Sequence, residues 1–122
     1  MTLPEPPLLL VTDRKQTRRP LVEVVAAAIT AGCRWVSVRE KDLPEDEQIT
    51  LARMLAQVAW RQKARLSLHG EPALAQAANA DGVHLPAGSD PAAARALLGP
   101  GKLIGVSIHT VTEAEAIDPA LV

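Results

Sequence analysis

Short apolar runs alternate along this chain with longer segments whose apolar residues recur at helical spacing. Leu8-Leu-Leu-Val-Thr12 is continuously apolar, which predicts a strand covered on both faces. A polar loop follows, and Pro20 opens a nearly unbroken apolar stretch from Leu21 to Ala31, read as a helix stopped at Gly32. Trp35 to Arg39 predicts a second strand. Pro44-Glu-Asp-Glu47 starts a long helix through about Gln62, its first-turn acids favouring the macrodipole and its apolar positions forming a broad stripe. Arg65 to His69 alternates as a third strand, and 71–78 is a short Ala-rich helix with Pro72 in its first turn. Asp81 to Leu85 reads as a strand closed by Pro86. Asp90 caps a helix that has Pro91 at its first position, runs to Leu98 and is stopped by Gly99-Pro100-Gly101. Leu103 to His109 predicts a fifth strand, and Thr112 a cap for a last helix with Glu113 and Glu115 in its first turn.

Strands alternating with helices in this way argue for parallel βα units. A doubly wound sheet and part of a (β/α)8 TIM barrel both satisfy the pattern. The first strand–helix loop has neither G-x-G-x-x-G nor a P-loop, so the nucleotide-binding version of the first lacks its fingerprint. Polar residues gather just after each strand instead: Asp13, Arg39 to Lys41, His69, Ser89 to Asp90, and Ser107 to His109. A barrel carries its active site on that rim. A complete barrel needs about 250 residues, so the expectation for residues 1–122 is a single α/β domain, a partial barrel of five βα units.

Composition narrows the partners. The formal net charge of -1 gives no electrostatic reason to expect nucleic acid or an anionic membrane. No apolar run approaches the roughly 18 residues that span a bilayer, and the proline-rich, acidic N-terminus does not read as a signal peptide. Cys33 is the only cysteine, which fits a reducing cytoplasm. Its place at a helix-to-strand turn, opposite the polar rim, suggests packing. Trp60 reads as packing on the helix face, and His84 as a barrel-interior residue. The scattered histidines and carboxylates show no tetrahedral metal-ligand spacing.

Four blocks, Leu10-Val-Thr-Asp-Arg14, Val38-Arg-Glu-Lys41, Asp81-Gly-Val-His-Leu85 and Ile104-Gly-Val-Ser-x-His-Thr110, occur in an order that resembles thiamine phosphate synthase and its TenI-like relatives. The resemblance implies a (β/α)8 barrel of which this chain holds the first five units. In the synthase branch a glutamine stands at Ser37 and works with the Arg39 and Lys41 positions on a pyrimidine pyrophosphate. An Asn-Asp pair is expected at His69-Gly70, and a second magnesium aspartate at Ser89. Magnesium pyrophosphate chemistry needs those carboxylates, and their loss disfavours a magnesium cofactor, although Asp90 lies one residue from the second position. The Leu-Pro-x-Gly-Ser loop, Gly70 and the Ser-x-His ending look more like the TenI branch, whose thiazole tautomerases shift a double bond within a thiazole phosphate carboxylate.

The leading expectation is therefore a TenI-like protein without a cofactor, with His109 as the catalytic proton carrier. Ser37, Arg39, Lys41, His69 and Ser107 form its substrate-binding set. A synthase with a rearranged metal site is the second reading. The third is a non-catalytic half-barrel whose open edges associate with a second copy or a complementary chain. Strands six to eight, which by resemblance carry the loops for the thiazole phosphate, lie outside the chain. Taken without the resemblance, Arg39 and Lys41 are an ordinary solvated strand exit, and His109 an exposed strand-end histidine.

Overall fold

A computed structural model describes residues 2–122. Five parallel strands form one sheet in the order β1-β2-β3-β4-β5: Leu9–Val11, Trp35–Val38, Arg65–His69, Gly82–Leu85 and Leu103–Val106. Between and after them come α1 (Leu21–Thr30), α2 (Glu45–Arg61), α3 (Pro72–Ala77), α4 (Pro91–Leu98) and α5 (Val111–Glu115). A strand order that follows the chain order decides between the two candidate architectures. Right-handed crossovers repeated in one direction place successive helices on the same face, as in a barrel, whereas a doubly wound sheet reverses direction part-way. The chain is a curved section of barrel.

The outward residues of each strand build the core with the helices. Val36 and Val38, Leu66 and Leu68, Val83 and Leu85, and Ile104 are buried with Val25 and Ile29 of α1, Ala52, Leu55, Ala56 and Ala59 of α2, Ala75 of α3 and Ala94 of α4. So many alanines let helix backbones lie close to the sheet, which explains how a chain without Phe or Tyr fills its core. The inward residues toward the C-terminal strand ends are of another kind, small or polar: Ser37, Ser67, His69, Gly82, His84, Gly105 and Ser107, with Trp35 and Leu103 at the starts of their strands.

Element boundaries mostly match the sequence reading, and Asp90 caps α4 through a 2.9 Å hydrogen bond donated by the Ala92 amide to Oδ1. Four points differ. β1 is not covered on both faces: Val11 is 43% exposed and Leu9 and Leu10 half-buried, because among the described residues β1 pairs only with β2. β2 ends at Val38, since the Arg39 amide donates to the Thr12 hydroxyl and not to a neighbouring strand. β5 ends at Val106 and not His109; the Ser107 amide makes one last bond to the Leu85 carbonyl, after which β4 turns away at Pro86. The cap of α5 is Thr110 and not Thr112: its hydroxyl accepts from the Glu113 amide at 3.1 Å, which places Glu115 at the helix end and leaves Glu113 as the first-turn acid.

At the far end of the strands Cys33 is buried with its sulfur against the Leu8 and Trp35 carbonyls, a packing position. Trp60 lies on α2 and donates its indole N–H to Asp81 Oδ2 at 2.8 Å. No helix among the described residues is long and apolar enough to cross a membrane.

Candidate functional site

The parallel register sets Val11 beside Ser37, Ser37 beside Ser67, and His69 beside His84 and, through it, Gly105. Alternation then turns a row of small and polar side chains onto the inner face near the C-terminal strand ends. They form a continuous ribbon. Ser37 Oγ and His69 Nδ1 share a hydrogen bond of 2.7 Å, with the donor set by the imidazole tautomer. The His69 and His84 rings stack with centroids 4.2 Å apart and planes 27° from parallel. His84 Nε2 meets Ser107 Oγ at 3.0 Å. Gly105 makes room for this ribbon, because a Cβ there would stand 2.7 Å from His84 Nδ1. Lower on the same face, Trp35 donates its indole N–H to Ser67 Oγ at 3.1 Å.

Burial keeps both imidazoles neutral. It lowers the His69 pKa to about 4, helped by His84, Arg39 and Lys41, and it lowers that of His84, helped by Lys41. The positive charges of Arg39 and Lys41 thus disfavour protonation of His69, and that of Lys41 disfavours protonation of His84. The unfolded chain takes up protons near the ordinary histidine value of 6.5, whereas folded His69 stays neutral down to about 4. Stability is therefore present above the unfolded value and lost as pH falls through this window. Urea midpoints should decline from pH 6.5 to 4, less steeply in His69→Asn. Parallel profiles for the two proteins would count against a neutral His69.

Three of the residues singled out from sequence, Ser37, His69 and Ser107, are thus brought together, with His84 completing the row. Ser37 is 0% exposed, so it lies beneath His69 and orients that ring, and any contact with a ligand passes through it. Arg39 and Lys41 stand exposed on the rim. His109 sits apart, with its side chain 72% exposed in the loop after β5, its amide donating to Glu113 Oε2 and its Nδ1 3.8 Å from the same oxygen.

A second cluster escaped the sequence reading. Glu40, flanked by Arg39 and Lys41, is only 3% exposed, and its carboxylate accepts from the Thr12 hydroxyl at 2.7 Å and from the Arg14 amide and Nη1 at 3.0 Å each. Arg14 also grips Asp42 with both terminal nitrogens, and Lys15 adds a contact of 3.2 Å. That hydrogen bonding holds the Asp42 carboxyl below the usual carboxylate range and Arg14 above its own.

The model of the TMP-TENI family, thiamine monophosphate synthase, matches residues 8–121. This chain belongs to that family. A putative thiamine-phosphate synthase from Geobacter sulfurreducens is 49% identical over 104 residues, which are 84% of this chain and 49% of that protein. The thiamine-phosphate synthase of Solidesulfovibrio magneticus is 40% identical, covering 92% of this chain and 54% of its own length. Among solved structures, a thiamine phosphate pyrophosphorylase from Pyrococcus furiosus superposes with a TM-score of 0.76 at 28% identity, over 88% of this chain and 52% of that one. The chain spans about half the length of these relatives.

The donors at the rim do not fit the magnesium that synthase chemistry requires. Gly70 has no side chain, and a Cβ built there would already touch Leu68 and Leu74 at 3.4 and 3.5 Å. Ser89 offers only a hydroxyl, and Asp90 is engaged as the cap of α4. Asp13 accepts from the Lys15 amide and Gln16, while Glu40 and Asp42 are held by Thr12, Arg14 and Lys15. Among the described residues no three histidine, cysteine or acidic side chains are grouped to hold a metal.

Proposed function

We propose that the chain serves thiamine biosynthesis by binding a phosphorylated thiazole at this rim and moving a proton on its ring, as the TenI branch does. The observation that carries the reading is the ribbon Ser37–His69–His84–Ser107 under the Arg39 and Lys41 cations, with every nearby carboxylate engaged elsewhere. Cations without a competing acid suit a phosphate or carboxylate, and neutral imidazoles can accept or donate a hydrogen bond to a heterocycle without adding charge. The reaction needs one proton removed from the ring and one returned elsewhere, so no redox partner or metal enters. His109 occupies the position that resemblance gives to the proton carrier. Its exposure leaves it open to a substrate arriving over the rim, and Glu113 Oε2 anchors its loop through the backbone.

The relatives' names favour the second reading, coupling of a pyrimidine pyrophosphate to a thiazole phosphate. Two assays on the same preparation separate them. The tautomerase reading expects isomerisation of the thiazole phosphate carboxylate without magnesium, reduced about 100-fold in His109→Ala, within the range of general acid–base contributions. Equal rates in the two proteins would remove His109 from the mechanism. Magnesium-dependent formation of thiamine phosphate would instead establish the coupling reaction.

A further inference from the structure

We infer that Thr12 and Glu40 are positioning residues that hold the Arg39–Lys41 segment over the imidazole ribbon; this rests on the anion-binding reading of the rim. The relay is continuous. The Arg39 amide donates to Thr12 Oγ1 at 3.0 Å, and the Thr12 hydroxyl donates to Glu40 Oε2 at 2.7 Å. The Arg14 amide and guanidinium close the other side of Glu40. One residue beyond Lys41, Asp42 is fastened to the same Arg14. The two cations are therefore bracketed by bonds at Arg39 N, Glu40 and Asp42, all leading back to the β1 exit.

The arrangement also resolves a conflict written into the sequence. A carboxylate between two cations ordinarily competes with an incoming anion for them. Here Glu40 is buried away from them and satisfied by Thr12 and Arg14, and among the described residues neither Arg39 nor Lys41 has an ion-pair partner. A partly buried network of this kind is rigid, and an unmet member is costly, so the segment has little freedom to collapse onto its own acids. Cations whose backbone is fixed lose less entropy when they bind.

The test compares Thr12→Val, which keeps the shape and removes the hydroxyl, with Thr12→Ser, which keeps the hydroxyl. Two readouts are needed: amide exchange at Arg39 by NMR, and affinity for inorganic pyrophosphate with and without Arg39→Gln. In Thr12→Val the Arg39 amide should exchange about tenfold faster and the affinity fall about tenfold, the scale of one hydrogen bond. Thr12→Ser should restore both, and in the Arg39→Gln background Thr12→Val should cost clearly less affinity, since only Lys41 then remains to be positioned. Unchanged exchange and affinity in Thr12→Val overturn the inference. An equal affinity loss with and without Arg39 does so too, since it marks a general loss of structure. If the wild type takes up no pyrophosphate while Thr12→Val still frees the Arg39 amide, the relay stands as architecture. The positioning role then falls together with the anion-binding reading.

Discussion

Gly82→Ala is expected to lower the melting temperature by roughly 10 °C, the largest stability effect of any single methyl added to this sheet. The added Cβ would lie 2.5 Å from the Leu103 carbonyl oxygen, 2.6 Å from Leu103 Cβ and 2.9 Å from Ser67 Oγ. Two of these neighbours belong to β5, which is paired with β4 at this level, Gly82 beside Leu103. A backbone carbonyl cannot swing aside as a flexible side chain would, so relief requires parting the two strands. Overpacking of this kind costs about 1–3 kcal/mol or more, and each kcal/mol moves the midpoint of a domain this size by about 4 °C. Thermal unfolding followed by circular dichroism measures it. A shift below about 2 °C would mean that the β4–β5 contact yields more easily than its geometry allows.

The largest functional effect should come from Arg39→Gln combined with Lys41→Gln, which is expected to weaken binding of inorganic pyrophosphate about 100-fold. Each cation can supply a charge-assisted hydrogen bond worth about 1.5 kcal/mol, roughly tenfold in affinity, and two separate contacts combine to that figure. Both side chains are exposed, so the wild-type affinity should fall as salt rises and the variant should respond less. Among the described residues neither pairs with an acid, so the melting temperature should stay unchanged. Titration calorimetry at two salt concentrations is the measurement. Affinity within twofold of wild type would return Arg39 and Lys41 to an ordinary solvated strand exit.

Much of this was legible in the chain. Period-two runs and turn residues placed the five strands, and proline, aspartate and glycine positions placed the helix ends, because those signals are local. Polar residues after each strand pointed to this rim as the candidate site, and Ser37, His69 and Ser107 are brought together there. What escaped depends on register and on side-chain direction. The run Arg39-Glu40-Lys41 does not say that the middle residue is buried and satisfied, since its partners Thr12 and Arg14 lie on another strand's exit. The stack of His69 on His84, and the need for Gly105 beside them, follow only once β3, β4 and β5 are aligned. The limits of β2 and β5 were misread because each strand stops where its neighbour stops offering carbonyls, which no single strand records.

The strand order has a consequence for how the molecule assembles. Among the described residues each strand pairs with the strand one βα unit away, Leu9 with Trp35, Trp35 with Arg65, Ser67 with Gly82 and Gly82 with Leu103, and no strand pairing joins the first to the fifth. Each of these pairings spans a whole βα unit, so its loop must close before the two strands meet, and parallel pairing of this kind is slow to begin. Neighbour-only coupling also resembles that of stacked repeats, in which structure can begin at one unit and spread to the next. Damage at the β1 edge should then be felt strongly at β2 and faintly at β5, so the two edges of the sheet can loosen independently of each other.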